Sequence, residues 1–367
     1  MAFSFAFSGD DIDAQPTTPP SAAVQPPAAG AFPVVGRPQL PPTRHDLAHL
    51  LSRLPSKLAY SCLDVVLDDG SNMRIPRREL WDVRLQLMAE DDGLDRNGEA
   101  LGDHDIKTGL YEGGFKSWES SVDLVKVLAA QRALPSSWHG RTARIIELGC
   151  GTALPSLAVF IWAMGQEPLA SQPMAFVLAD YNPSVLQLVT LPNFVLAWAL
   201  HRRKLHTALC EAFSLKNELE LGPEVLQAFV AHLSQHRVTL FFVSGAWSHD
   251  LVQIVNHLPS VMPETCALSP VTLILGAETI YSPLALRAFV ETLLALLDRE
   301  KNKLGGHAEA LVAAKKLYFG VGGSLCDFIA DVESRGARVT LLREEAEGVR
   351  RGVVHCVVPH QGLADQI

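Results

Sequence analysis

The sequence is short of charge and of aromatic rings. Asp, Glu, Lys and Arg make up 19% of its 367 residues, and Phe, Trp and Tyr 7%. Set beside a 48% hydrophobic content, this excludes wholesale disorder, which needs few apolar and many charged residues. No basic surplus exists: 31 Lys and Arg stand against 40 Asp and Glu, a formal charge of −9. That speaks against direct nucleic-acid binding and suits a small molecule or a basic protein as partner. Cysteine is sparse, and Cys62, Cys150, Cys210, Cys266, Cys326 and Cys356 lie far apart. Without Cys-x-x-Cys or Cys/His pairs at zinc spacing, no metal is expected, and free thiols in a reducing compartment are the simple reading. No run reaches the roughly 18–20 apolar residues needed to span a bilayer, and no basic leader precedes an apolar stretch. A soluble chain with neither signal peptide nor membrane partner is expected.

What is present reads as one enzyme core of roughly 240–260 residues with extra segments. Nine of the 23 prolines fall within residues 1–42, so a disordered tail is expected over 1–45. The opening Phe3-Phe5-Phe7 alternation is either an edge strand docked on the core or a sticky end. A small N-terminal α/β extension follows over 46–105. Leu47, Leu50, Leu51 and Leu54 suit a helix ended by Pro55, Tyr60–Leu67 a strand, and Asp68–Ser71 a turn. Trp81, Val83, Leu85 and Leu87 alternate with polar residues, which predicts a further β element; Asp91–Asp105 reads as a loop.

Over 106–367 apolar strand-like runs alternate with helical stretches. Strands are expected at Arg144–Leu148, Ala175–Ala179, Val238–Val243, Val271–Leu275 and Ala310–Ala314, and helices at Leu154–Met164, Ser184–His201, Leu284–Leu297 and Leu325–Val332. This predicts an α/β fold: a mostly parallel sheet with helices on both faces. Arg338–Leu342 and Val353–Val358 are too close for a crossover helix and should form an antiparallel C-terminal hairpin. A polar insertion interrupts the alternation at 202–237.

The most informative stretch is Ile145-Ile146-Glu147-Leu148-Gly149-Cys150-Gly151-Thr152, a strand running into a tight Gly-x-Gly turn and a helix start. Such a turn brings bare backbone and helix amides close to a ligand. A dinucleotide fingerprint fails twice: Leu154 stands where its third glycine belongs, and the next strand-end acid, Asp180, comes 29 residues after Gly151. Instead Glu147 can accept from an amino acid's ammonium group, and Asp180 from both hydroxyls of a ribose. An acid for an α-ammonium, glycines for close approach and an acid for a ribose together describe S-adenosylmethionine.

The loop Glu147–Gly151 resembles the first motif of seven-stranded (class I, Rossmann-like) S-adenosylmethionine-dependent methyltransferases. Several more specific motifs resemble the eukaryotic protein-histidine methyltransferase family. They are Tyr111-Glu112-Gly113-Gly114-Phe115-Lys116-Ser117-Trp118-Glu119, Asp180-Tyr181-Asn182, Thr190-Leu191-Pro192-Asn193, Ser244-Gly245-Ala246-Trp247, Glu278-Thr279-Ile280-Tyr281 and Tyr318-Phe319-Gly320-Val321-Gly322-Gly323. The resemblance implies a monomeric enzyme of the cytoplasm and nucleus that methylates the tele nitrogen of one histidine in universal large-subunit ribosomal protein three. It implies cofactor contacts from Trp118, Glu119, Ser120, Glu147, Gly149, Gly151, Asp180, Tyr181, Asn182, Gly245, Ala246 and Trp247. Glu278, with Tyr281 shaping the pocket, is the candidate catalytic acceptor that would fix the imidazole tautomer. Three departures are visible: Glu147 for Asp, Ala153 for Gly, and Ala246 for an acid. The residues by themselves also leave open a lysine or small-molecule methyltransferase, or a non-catalytic cofactor-binding scaffold for a ribosomal protein.

Overall fold

A computed structural model describes residues 39–92, 113–131, 141–165, 173–213, 215–259, 270–301 and 306–359. The Phe3–Phe7 alternation, most of the 91–105 loop and the Tyr111-Glu112 pair lie outside them. The eleven strands among the described residues are numbered in chain order. Residues Ala143–Leu148 (β4), Met174–Asp180 (β5), Val238–Ser244 (β7), Val271–Ala277 (β8) and His307–Lys315 (β9) pair parallel as β7-β5-β4-β8-β9. Arg351–Val357 (β11) adds antiparallel to β9, and Arg338–Glu345 (β10) antiparallel to β11. The mostly parallel sheet with helices on both faces and its antiparallel C-terminal hairpin, expected from the sequence, are therefore both present.

Apolar residues alternate between the two faces of each central strand. From β4, Ile145 packs into a cluster with Phe160, Phe176, Phe194 and Trp198, whereas Ile146 and Leu148 join Phe289, Leu293 and Phe328 on the opposite face. The first face is covered by helices Glu119–Ala130, Leu154–Met164 and Pro183–Arg202, the second by His249–Asn256, Pro283–Lys301 and Leu325–Ser334. Pro183–Arg202 is the one helix among the described residues long and apolar enough to cross a membrane, with a mean hydropathy of 1.4. It is 89% buried inside this fold and serves as its core helix. Its Leu186–Thr190 turn is π-helical.

Two expectations need correction. Thr43–His45 (β1) is not tail: it pairs antiparallel with β7 and closes that edge of the sheet. Trp81–Leu87 is not a strand either, for Leu80–Asp92 is a helix. Only Val83 of its alternating set is fully buried, while Trp81 and Leu85 stand exposed. More than half of the segment is Leu, Met, Ala, Gln, Glu and Arg, all good helix formers. Its start is fixed by amides of Asp82 and Val83 donating to the Glu79 carbonyl and by the Arg78–Asp82 ion pair at 2.6 Å.

The insertion at 202–237 is built from helices Thr207–Ala212 and Pro223–Gln235 and strand Glu218–Glu220 (β6). That strand pairs with Lys57–Val66 (β2), which also pairs with Asn72–Arg78 (β3). N-terminal extension and insertion thus share one small sheet, ordered β3-β2-β6.

Candidate active site

The carboxyl ends of β4, β5, β7 and β8 meet where the strand order reverses, the place open α/β sheets bind ligands. A pocket opens there, with about 720 Å³ of space when the solvent at its opening is counted. Its wall includes Trp118, Glu147, Gly149, Gly151, Asp180, Tyr181, Asn182, Trp247, Glu278 and Tyr281, all singled out from the sequence.

After β4 the chain turns through Gly149 at φ +67° and Gly151 at φ +50°. A Cβ at Gly149 would meet Thr279 Cγ2 at 2.9 Å and the Trp247 ring at 3.3 Å; one at Gly151 would meet the Gly114 carbonyl at 3.1 Å. Glycine keeps this floor clear. The next residue but one, Ala153, holds the left-handed region at φ 56°, ψ 34° ahead of helix Leu154–Met164. The motif Thr190–Asn193 supports the floor from below. Thr190 Oγ1 donates to the Gly151 carbonyl at 2.7 Å, and Asn193 Nδ2 to the Thr152 carbonyl at 3.0 Å.

Two carboxyl groups flank this floor. Glu147 is 2% exposed and accepts from the Ser156 amide at 3.0 Å. Burial pushes its carboxyl up to about 8, against the pull of the Ser156 bond. Asp180, at the end of β5, accepts from the Gly151 amide at 2.9 Å and the Asn182 amide at 3.1 Å. Burial raises it to about 6 despite those amides. Both groups therefore gain from a ligand that presents donors or positive charge. Asn182 Oδ1 and Thr279 Oγ1, on the same wall, are buried without a hydrogen-bond partner. An open glycine cradle, two acceptor carboxyls and two unsatisfied oxygens fit S-adenosylmethionine in hydrogen-bonding chemistry.

On the same wall, Glu278 follows β8 with φ 59°, a left-handed backbone that costs an ordinary residue about 1 kcal/mol. Its amide donates to the Ala313 carbonyl at 3.0 Å, which ties the turn to β9. Ser120 Oγ donates to its Oε1, and Lys315 Nζ lies 4.0 Å from Oε2. Lys315 also stands 5.1 Å from the centroid of the Trp118 ring and 5.6 Å from that of Tyr318. Burial first, and Glu278 second, raise the Tyr318 phenol, whose oxygen accepts from the Lys315 amide at 3.4 Å.

Four of the residues singled out do not line the pocket. Ser120 lies behind Glu278, and Glu119 is exposed at the start of its helix. Gly245 and Ala246 face residues 40–42 instead: the Ala246 amide donates to the Leu40 carbonyl at 3.0 Å, and a Cβ at Gly245 would fall 2.6 Å from Pro42 Cα. Tyr181 joins the same contact, its hydroxyl accepting from the Leu40 amide at 3.2 Å. Sequence reasoning did not find Lys315; its place at the end of a parallel strand was the available signal. Among the described residues no cluster of His, Cys, Asp and Glu could hold a metal ion.

No protein-family model matches the chain. Among curated proteins it is 33% identical to Histidine protein methyltransferase 1 of Saccharomyces cerevisiae, over 91% of each chain. It is also 33% identical to the protein of that name from Schizosaccharomyces pombe, over 77% of this chain and 74% of the relative. A Bos taurus homologue is 29% identical over 69% of this chain and 56% of its own. The N-terminal domain of human METTL16 in complex with SAH is a solved structure covering 86% of this chain and 95% of its own, at 13% identity. Its TM-score of 0.36 lends no argument about function.

Proposed function

The chain belongs to the histidine protein methyltransferase family, and on that premise we propose that it methylates a ring nitrogen of a protein histidine with S-adenosylmethionine as donor. The observation that carries this reading is the pairing of two buried carboxyls across a glycine cradle with a third, Glu278, held on the same pocket wall. When bound, S-adenosylmethionine supplies an electrophilic methyl group. Asp180 would hold its ribose hydroxyls and Glu147 its ammonium group, with Trp247 and Asn182 along the base.

An imidazole near its ordinary pKa of about 6.5 is mostly neutral at pH 7, so no strong base is needed before attack. What matters is the tautomer. The Glu278 carboxyl, steadied by Ser120 and Lys315, would accept from one ring N–H and leave the lone pair of the other nitrogen facing the methyl group. As methylation makes the ring cationic, the same carboxyl stabilises the product. Tyr281 shapes the wall beside it.

The client we propose is a basic protein, universal large-subunit ribosomal protein three, methylated at the tele nitrogen. The chain would work as a monomer in the cytoplasm and nucleus, where such a client is made and assembled. The acidic balance of −9 suits that client. Transfer of tritiated methyl into ribosomal proteins, with amino-acid analysis of the product, tests the reading. Glu278→Gln should slow transfer by about 100-fold with cofactor affinity held within about twofold, as expected of a transition-state contact. Asp180→Ala should weaken cofactor binding instead, by about 10–100-fold for lost charge-assisted hydrogen bonds. Label on lysine, or cofactor binding with no transfer to any ribosomal protein, would overturn the reading in favour of a lysine enzyme or a scaffold.

A further inference from the structure

The turn that follows β9 carries apolar side chains into solvent beside the pocket. Phe319 is 85% exposed, and Leu317, Val321 and, across from them, Leu284 are between a third and a half exposed. A free loop would fold such a phenylalanine inward, because burying it is favourable. Here the backbone on both sides of it is tied down. The Tyr318 amide donates to the Gly323 carbonyl at 2.9 Å, the Gly322 amide to the Tyr318 carbonyl at 3.1 Å, and the Gly323 amide to the Tyr281 carbonyl at 3.2 Å. Gly320 and Gly322 hold φ values of +76° and +90°. Gly323 lies so close to the Ile280 and Tyr281 backbone that no Cβ fits. The buried Tyr318 ring, packed over Lys315, anchors the base of the turn. Phe319 is therefore held outward by the segment that supplies the pocket wall at Tyr281.

This geometry decides what covers it. Four apolar side chains fall far short of the roughly 20–30 residues a side of a stable dimer interface. They match a transient contact with a few residues of extended polypeptide. An acceptor histidine carried by a polypeptide reaches the pocket only with its neighbouring residues left outside, and the Phe319 turn is bonded through Gly323 to Tyr281, which lines that pocket. We propose that Leu284, Leu317, Phe319 and Val321 form the docking surface for apolar side chains flanking the acceptor histidine in the protein substrate. The inference rests on the methyl-transfer reading above and adds to it how the acceptor protein is chosen.

The test is steady-state methyl transfer to purified universal large-subunit ribosomal protein three from cells lacking this enzyme. Phe319→Ala should raise the KM for that protein about tenfold, the size of a buried aromatic anchor. The kcat should stay within about twofold, and the affinity for S-adenosylhomocysteine should not change. Phe319→Leu should recover most of the loss. Because Phe319 is exposed, the melting temperature should not move. A Phe319→Ala enzyme with wild-type KM, or one that loses kcat with KM unchanged, would overturn the docking surface alone. A wild-type enzyme that transfers no methyl to histidine would overturn the functional reading and this surface with it.

Discussion

Glu147 stands in the free protein with its carboxyl raised from 4.5 to about 8, chiefly by burial. A carboxyl that ionises later in the folded than in the unfolded chain makes the fold bind the extra proton. Its contribution to stability is full below about 4.5 and is lost as pH rises towards about 8. At about 1.4 kcal/mol per pH unit, the native state gives up about 3 kcal/mol between pH 4.5 and pH 7 through this one group. Glu147→Gln removes that titration. Its amide keeps an oxygen for the Ser156 amide but brings an NH₂ that needs a partner, a cost of about 1 kcal/mol. The variant should therefore be more stable than the wild type by about 2 kcal/mol at pH 7, and about equal to it near pH 5. Cofactor affinity should move the other way, falling about 10–100-fold with the loss of a charge-assisted hydrogen bond to the ammonium group. Urea denaturation at a series of pH values, with calorimetry of S-adenosylmethionine binding, reads both effects. Parallel stability profiles for variant and wild type, or unchanged affinity, would refute the reasoning.

Ala153→Gly should stabilise the protein by about 1 kcal/mol in the same urea assay, because glycine carries no penalty at φ 56°. Lys315→Met should cut turnover about tenfold and leave the Kd for S-adenosylmethionine unchanged, since it removes the cation beside Glu278 and between the Trp118 and Tyr318 rings. Single-turnover transfer set against equilibrium binding separates those two effects.

The central sheet was legible because β4, β5, β7 and β8 are apolar runs buried on both faces, bounded by turn residues and spaced by helices. Trp81–Leu87 misled because a period of two over seven residues is short, and side-chain propensity there opposed it. Thr43–His45 was hidden for another reason: three polar residues carry no pattern, and their pairing is set by the open edge of β7. The pocket was legible where function is written in local motifs, as at Glu147–Gly151 and Asp180. Lys315 was not, since it reaches Glu278 only through the pairing of β8 with β9, and the turn to residues 40–42 that occupies Gly245 and Ala246 depends on a contact across some 200 residues of chain.

That contact bears on how a shortened protein should be cut. His45 Nε2 lies 2.7 Å from Ser244 Oγ, and the Arg44 guanidinium sits over the Phe241 ring at 5.5 Å. A fragment starting at Asp46, where the helical pattern begins, would strip β7 of its cover and present a row of unpaired amides and carbonyls, an invitation to self-association. It would also free the Tyr181 hydroxyl, so a fall in solubility should arrive together with a looser nucleoside end of the pocket. A truncation that begins at Gln39 would keep both the cover and the tyrosine in place.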